Sequence, residues 1–536
     1  MASRLGAGPV FGWELVAGTR RWQPYALKAV FVAALLVWLS MIWSRRAGQT
    51  YYSAQQLASV GREFFAGLVV IQLTLVLLAA PAATAGAVCL DKARGTLLHV
   101  LVTDLTAGEI VLGKLAARLA PVLGLVACGL PVVALCGLFG GLEAEAVVGA
   151  YLVTFAVAIV GCTLALTLSV WARKTHQALV GTYLIESLWV GAFFFLATVF
   201  RWRGPVAAPG GPMELALSVN PYGMALIPIW GIPTPLKIDL RLQGAYLGAA
   251  CLLAWALFAV ARRTIRPTVL AQANRPARRD KPEMPARIVR RLPEPPLDGN
   301  PVLWREWHRK LPSRWVGRFW AIYTVVSFLA SALVVAAYYI APGDWYYGGW
   351  NGQFWASQVN AWQVAIGLLL LSVSAATALA EERDQGNLEL VMATPLSTST
   401  IFWGKWWGAF AMVPRLSILP IWVGAALAMI TSRGLAFVLM VGLILAYAAA
   451  ITSLGLALAT WIPRLGRVVS TSTIAYVLVS VGWPILLLEV TNWRFSDRAT
   501  WLAVSSASPF LGIYTMTGLS GRLGFANGYG SGGITD

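Results

Sequence analysis

Gly108-x-x-x-x-Gly113-Lys114 imitates the start of a nucleotide-binding loop. Such a loop cradles phosphates with backbone N–H groups and a lysine, and needs Ser or Thr next to hold Mg²⁺. Leu115 follows here, beside an apolar run, so no ATP binding is expected of this chain itself. His99, His176 and His308 are scattered, with no zinc or catalytic-triad spacing. Cys89, Cys128, Cys136, Cys162 and Cys251 lie in or beside apolar runs without paired spacing, which suits small core residues rather than disulfides or metal ligands. No catalytic site, metal site or bound cofactor is legible, and the chain does not read as an enzyme.

The strongest pattern is a pair of charged loops. Residues 91–114 match 382–405 without a gap. Eight of the 24 positions are identical: Gly95/Gly386, Leu97/Leu388, Val100/Val391, Thr103/Thr394, Leu105/Leu396, Ile110/Ile401, Gly113/Gly404 and Lys114/Lys405. In the second copy the charged start at Glu382 and the Gly at 386 suit a helix exit at a membrane surface. Leu388, Val391 and Met392 then recur at i, i+3, i+4 around Glu389, which predicts a short amphipathic helix. Thr394-Pro395-Leu396 ends it, Ser399 or Thr400 can cap the next helix, and Lys405 precedes the next span. The first copy keeps this plan through Asp91, Gly95, Thr96, Leu97, Thr103, Leu105 and Lys114. A surface helix with one apolar stripe, presented twice, suits docking to a partner with two grooves. A loop that merely closes two spans would not need two like-patterned copies.

The elements that hold these loops are membrane spans. The chain has 536 residues, 58% hydrophobic and 12% charged, with a mean hydropathy of +0.68. That charged share is about half the usual one, which excludes disorder and ordinary soluble enzymes. A spanning helix needs about 20 apolar residues. Runs of that length fall near 25–43, 64–88, 115–139, 146–172, 177–200 and 243–262, then near 319–340, 361–380, 406–431, 435–462 and 468–490. The fold expected is an all-α polytopic membrane protein. The first run lies behind a basic stretch and is long enough to stay as an anchor rather than a cleaved signal. The net charge of +18 is explained by Lys and Arg gathering in cytoplasmic loops, not by a nucleic-acid partner. With the N-terminus inside, the cytoplasmic segments carry 28 Lys and Arg and the outer ones 11.

Pro9-Val10-Phe11-x-x-Glu14 matches Pro301-Val302-Leu303-x-x-Glu306, and Asn220-Pro221-Tyr222 faces Ser508-Pro509-Phe510, at nearly the same offset as the loops. These anchors predict a duplicated chain whose two halves share one membrane orientation. The first half is expected over 1–265, with an elbow helix and six spans. A basic, Pro-rich cytoplasmic linker is expected over 266–298. The second half, 299–536, is expected to hold an elbow helix, five spans and a Gly-rich tail. The partner of span 243–262 would fall near 531–550, so eleven spans are expected and the twelfth is missing, or is replaced by the weakly apolar 501–520.

The loops resemble those of the permease subunits of ATP-binding-cassette exporters, in the second superfamily of such permeases. That family shows an acidic residue four before a Gly, then Thr-Leu-Glu-x-Leu-Leu-x-Thr-Pro-Leu-Ser, then Gly-Lys. Asp91 and Glu382 match the acidic position, and Thr394-Pro395-Leu396-Ser397 matches fully. Asp104 stands where Pro is expected, and Leu98 where the second copy has Glu389, so the first copy is the weaker match. The resemblance implies a coupling helix at each loop and two separate ATPase subunits as partners, with ATP and Mg held by them and not by this chain. It implies a multi-pass permease in the plasma membrane among membrane lipids, with the N-terminus cytoplasmic. Interfacial elbow helices would carry Glu14, Glu306 and Trp307, with Leu303, Trp307, Leu311 and Trp315 as a stripe that Pro312 bends. Short helices after Asn220 and Ser508 would lie at the outer mouth of the pathway. Lys28 and Glu489 lie near span ends and are expected to snorkel. Glu186 and Arg415 lie deeper and are functional candidates, with helix pairing favoured over substrate contact. Two rivals stand beside this reading. One is a major-facilitator-like carrier, whose loop signature Gly86 to Gly95 imitates loosely; the other is a non-transporting scaffold coupled to an ATPase.

Overall fold

The computed structural model describes residues 8–20, 23–44, 53–137, 140–172, 175–200, 217–230, 238–273, 300–309, 314–340, 352–384, 386–431, 434–463, 465–484 and 498–520. Among them the chain is helical, with no strand. The helices are α1 (Gly8–Thr19), α2 (Gln23–Ser44), α3 (Ala54–Thr84), α4 (Gly86–Ala93), α5 (Thr96–Val102), α6 (Ala107–Ala127) and α7 (Leu130–Gly137). They continue with α8 (Ala144–Trp171), α9 (Thr175–Phe200), α10 (Pro221–Trp230), α11 (Leu240–Ala273), α12 (Pro301–Arg309), α13 (Arg314–Ile340) and α14 (Gly352–Asp384). The last are α15 (Asn387–Met392), α16 (Thr398–Phe410), α17 (Val413–Thr431), α18 (Gly434–Trp461), α19 (Leu465–Val477), α20 (Arg498–Ser505) and α21 (Pro509–Ser520). A π-helical turn at Leu478–Gly482 extends α19.

Among the described residues, seven helical stretches are long and apolar enough to cross a membrane: Ala54–Lys92, Ala107–Leu135, Ala144–Trp171, Leu240–Ala271, Gln353–Arg383, Thr398–Thr431 and Gly434–Trp461. The chain is thus an all-α protein with the helices of a polytopic membrane protein. Shorter apolar helical stretches cover Lys28–Ser44, Ala321–Ala336 and Leu465–Ser480, and the run at 177–200 lies on α9.

Helix starts follow local chemistry. Ser53 with Gln56, and Thr106 with Glu109, form capping boxes that satisfy the first free N–H groups of α3 and α6. Ser397 caps α16 from the position that Thr106 holds before α6, and its hydroxyl accepts from the Thr400 backbone N–H at 3.1 Å. The third run therefore starts earlier than its hydropathy predicts, at Ala107 and Thr398 rather than near 115 and 406. Polar residues of the first turns mask the start of each helix. Helix α11 runs to Ala273 through Pro267, eight residues into the stretch read as a linker; 274–299 lies outside the described residues.

One buried cluster joins α3, α6, α8 and α10 through Phe64, Leu68, Val126, Val157 and Met224. A second joins α14, α17, α18, α19 and α21 through Leu368, Val413, Ile444, Tyr476 and Ile513. A third ties the two together, with Ala85, Leu179 and Tyr183 against Ala376, Ala380 and Val468. It includes Cys89 and Ala380, which lie just before the two charged loops, so both loops leave the same end of the bundle.

Candidate functional site

Each charged loop is organised around one buried lysine. Lys405, near the middle of α16, is 2% exposed; its Nζ lies 2.5 Å from Glu306 Oε1 on α12 and 2.6 Å from Glu382 Oε2 at the end of α14. It also donates to the Ala378 carbonyl at 3.3 Å. Lys114, on α6, is 4% exposed; its Nζ lies 2.6 Å from Glu14 Oε1 on α1 and pairs with Asp91 Oδ2 at the end of α4. Three residues far apart in sequence thus meet in each copy. They tie α1 to the end of α4 and to α6, and α12 to the end of α14 and to α16, each set at one point.

An arginine joins each cluster, from a different helix in each. Arg118 lies 3.1 Å from Glu14, and Arg305 lies 3.4 Å from Glu382. Among the described contacts each cluster thus joins two carboxylates to two cations. The second cation comes from α6 in the first copy and from α12 in the second; Ala409 and Trp13 occupy the corresponding positions. A buried ammonium left unpaired costs several kcal/mol, and the lysine is the buried cation of each cluster, while Arg118 and Arg305 are 40% and 45% exposed.

The loops repeat in detail. Gly95 and Gly386 both adopt left-handed backbone, φ 74° and 71°, a conformation that costs a side-chain-bearing residue about 1–2 kcal/mol. They turn the chain out of α4 and α14 into α5 and α15. The hydroxyls of Thr103 and Thr394 donate to the carbonyls of Val100 and Val391, each at 2.6 Å. Lys92 Nζ reaches the Val170 and Ala172 carbonyls at 3.0 and 2.5 Å, at the end of α8. Arg383 reaches the Ala459 and Thr460 carbonyls at 3.2 and 3.0 Å, at the end of α18. A cation at a helix C-terminus meets its free carbonyls and its dipole.

The predicted docking stripes need correction. Leu97 is fully buried in the protein's own core, with Ile110, Val111, Leu166, Ala261 and Ile265 around it. It anchors α5 and faces no partner. Leu388, Val391 and Leu396 are half-buried, while Leu390 and Met392 are 70% and 55% exposed. Helix α15 lies against the end of α14 with 388 and 391 turned toward the bundle, which leaves 390 and 392 outward. In the first copy Val102 and Leu98 are the outward apolar residues, Leu105 is half-buried, and Thr96 and Thr103 are exposed. Glu389, Thr394 and Pro395 are exposed beside Leu390.

Glu186 is buried; no hydrogen-bond partner reaches its Oε1 among the described residues. That oxygen stands 2.9 Å from where a Cβ on Gly161 would sit. Arg415 faces outward from α17, so the structure does not bring it to Glu186 or to a shared pathway. Trp307 lies on α12, but its side chain falls outside the described residues, as do Leu311 and Pro312. The short helices do form: Asn220 Oδ1 accepts from the Tyr222 and Gly223 N–H groups at 2.9 and 3.3 Å, starting α10. Its Nδ2 donates to the Val190 carbonyl on α9 at 2.9 Å, and Ser508 Oγ donates to the Ser480 carbonyl in the π-helical turn after α19 at 2.9 Å, so each start is pinned to an earlier helix. Glu489 lies outside the described residues.

In sequence, Asp91 and Lys114 fall in one loop pattern and Glu14 in another, and nothing there joins the two patterns in space. The signal was present: three charged positions and their counterparts keep sign at nearly one offset. Arg118 and Arg305 left no such signal, because they do not correspond. Among the described residues no group of three or more His, Cys, Asp or Glu could hold a metal ion. The arrangement ties each surface helix to the ends of two long apolar helical stretches and to the short helix α1 or α12. No protein-family model matches the chain, and no curated protein matches it.

Proposed function

We propose that the chain is the membrane permease of an ATP-driven exporter of the ATP-binding-cassette kind, with two permease halves fused in one polypeptide. Separate ATPase subunits, one on each loop, supply ATP hydrolysis and Mg. The N-terminus and both loops face the cytoplasm of a cell whose plasma membrane holds the protein. The observation that carries this reading is the pair of buried Lys-centred clusters under α5 and α15.

A stroke delivered to a short surface helix moves membrane helices only if the joint between them is stiff. Lys405 pins α12, α14 and α16 together, and Lys114 does the same for α1, α4 and α6. Pressure on α15 or α5 would therefore shift two spans and an elbow helix as a unit, and rocking the two halves would give alternate access. The outward Leu390 and Met392, with Val102 and Leu98 in the first copy, offer the apolar contacts that such a partner would cover.

The test is whether an ATPase encoded beside this chain co-purifies with it and hydrolyses ATP faster in its presence. Complex formation and stimulated hydrolysis support the exporter. Transport that proceeds without any ATPase and follows an ion gradient favours the major-facilitator-like carrier. An ATPase complex with no transported substrate favours the scaffold.

A further inference from the structure

Glu186 sits near the middle of α9 and is 5% exposed. No hydrogen bond or ion pair holds its carboxyl among the described residues. Its Oε1 lies over Gly161 of α8, in space it shares with Ala80 and Pro81 of α3. The titratable groups that face it are Cys162 of α8, Tyr183 of α9 and Tyr222 of α10. None of these is a cation in any state. The two hydroxyls are already engaged: Tyr183 donates to the Leu78 carbonyl at 2.9 Å, and Tyr222 shares a hydrogen bond with Thr74 at 2.9 Å. The helices around α9 hold no cation at this level. Helix α3 after Glu63, α4 before Asp91, α8 after Glu145, α13 after Arg318, α14 before Glu381 and α19 after Arg467 carry no charged residue, and α10 carries none at all.

The second half fills the same position differently. Asn220 and Ser508 donate to the carbonyls of Val190 and Ser480, which aligns α9 with α19. Glu186 lies four residues before Val190, and Tyr476 four before Ser480. The Tyr476 hydroxyl donates to the Ala365 carbonyl on α14 at 2.7 Å. Packing at this position is therefore met by a side chain whose polar end finds a partner. The first half instead carries an acid whose polar end finds none.

A buried carboxylate without a cation or donors is far costlier than the neutral acid. We propose that Glu186 is a proton-binding site of the first half, occupied by a proton in the packed arrangement and emptied when α9 draws away from α8. On release the proton passes to the water that then reaches the carboxyl, and the carboxylate keeps the negative charge. Closure takes the proton back. A metal ion does not suit the site, because it needs several oxygen ligands and the carboxyl faces Gly161, Ala80 and Pro81. The position of α9 gives the proton its leverage. Leu184 lies about 200° round the helix from Glu186 and packs with Tyr323, Ile366 and Leu370 of the second half. Helix α9 is thus gripped from both halves, and the charge on Glu186 decides one of the two grips. This inference does not rest on an ATPase partner.

The experiment is infrared difference spectroscopy of the full chain in lipid bilayers at neutral pH, the unaltered chain against Glu186→Gln. Glutamine keeps the shape of the neutral acid. The unaltered chain is expected to show the carbonyl stretch of a protonated carboxyl, and the variant to lack it. Glu186→Ala, which vacates the space, is the second variant and is expected to lack the same band. A carboxylate band lost from the variants in its place would overturn the proposal. Raising the pH until the protonated band disappears is expected to speed amide hydrogen exchange around Gly161 and Glu186 at least tenfold beyond its intrinsic pH dependence. Glu186→Gln is expected to show no such increase. Protection that persists after the band has gone would overturn the proposal equally, because the proton would then hold nothing.

Discussion

Lys405 Nζ lies 2.5 Å from Glu306 Oε1, across 99 residues of sequence, with both side chains almost wholly buried. Lys114 and Glu14 repeat that contact at 2.6 Å across 100 residues. The pairs fix where each surface helix meets the bundle.

Removing the lysine should cost far more than removing the arginine. Lys405→Met leaves Glu306 and Glu382 facing each other without their shared cation, and breaking a buried ion pair this way costs about 3–5 kcal/mol. Arg305 is about half exposed, so Arg305→Ala should cost at most about 1 kcal/mol. Thermal unfolding in detergent, followed by size-exclusion chromatography, is expected to rank them in that order. Equal losses would contradict the central place of the lysine.

The same cluster predicts strong coupling between its members. Glu306→Gln combined with Lys405→Met should be less harmful than the sum of the two single changes by about 0.5–3 kcal/mol, as expected for residues in one network. The same holds for Glu14→Gln with Lys114→Met. Strict additivity would show that the contacts carry no shared energy.

Much of this site was legible in sequence, and the reason is physical. Positions at which a side chain is over-determined repeat in both copies. Gly95 and Gly386 need left-handed backbone, Thr103 and Thr394 close the same hydrogen bond, and Lys114 and Lys405 are buried between carboxylates. The helical class was legible because apolar runs of spanning length admit few alternatives. What was not legible depends on neighbours distant in sequence. Leu97 and Leu388 are the same residue in the same motif, yet α11 lies against Leu97 and buries it, and Leu388 stays half-buried. Periodicity alone also put Val391 on the outer face and missed Leu390.

That correction makes the two apolar loop residues separable. Leu97→Asp places a charge in a closed core, and the protein is expected to be lost from the membrane. Leu390→Asp changes an exposed residue, so stability should move by no more than about 0.5 kcal/mol. Membrane level and thermal unfolding of the two variants check this. A folded Leu97→Asp protein would contradict the packing described for α5.

Gly161 should be intolerant because of Glu186. Alanine there brings a methyl to 2.9 Å from Glu186 Oε1 and 3.2 Å from Ala80 Cβ, and overpacking of this kind typically costs about 1–3 kcal/mol. Glu186→Ala in the same chain should recover part of the loss by vacating the space. Unfolding temperatures of the two single variants and the double variant give the answer. A harmless Gly161→Ala would contradict the close approach of α8 and α9.

The most direct test of the proposed function is the effect of Leu390→Asp on the binding and stimulation of an ATPase encoded beside this chain. Burying an unpaired charge at a docked contact costs about 2–5 kcal/mol, which weakens binding about 30-fold or more. At matched membrane levels, the variant is expected to lose co-purification with the ATPase and the stimulation of its ATP hydrolysis, while its own unfolding temperature stays unchanged. A Leu390→Asp protein that binds the ATPase and stimulates hydrolysis as the unaltered chain does would contradict the account.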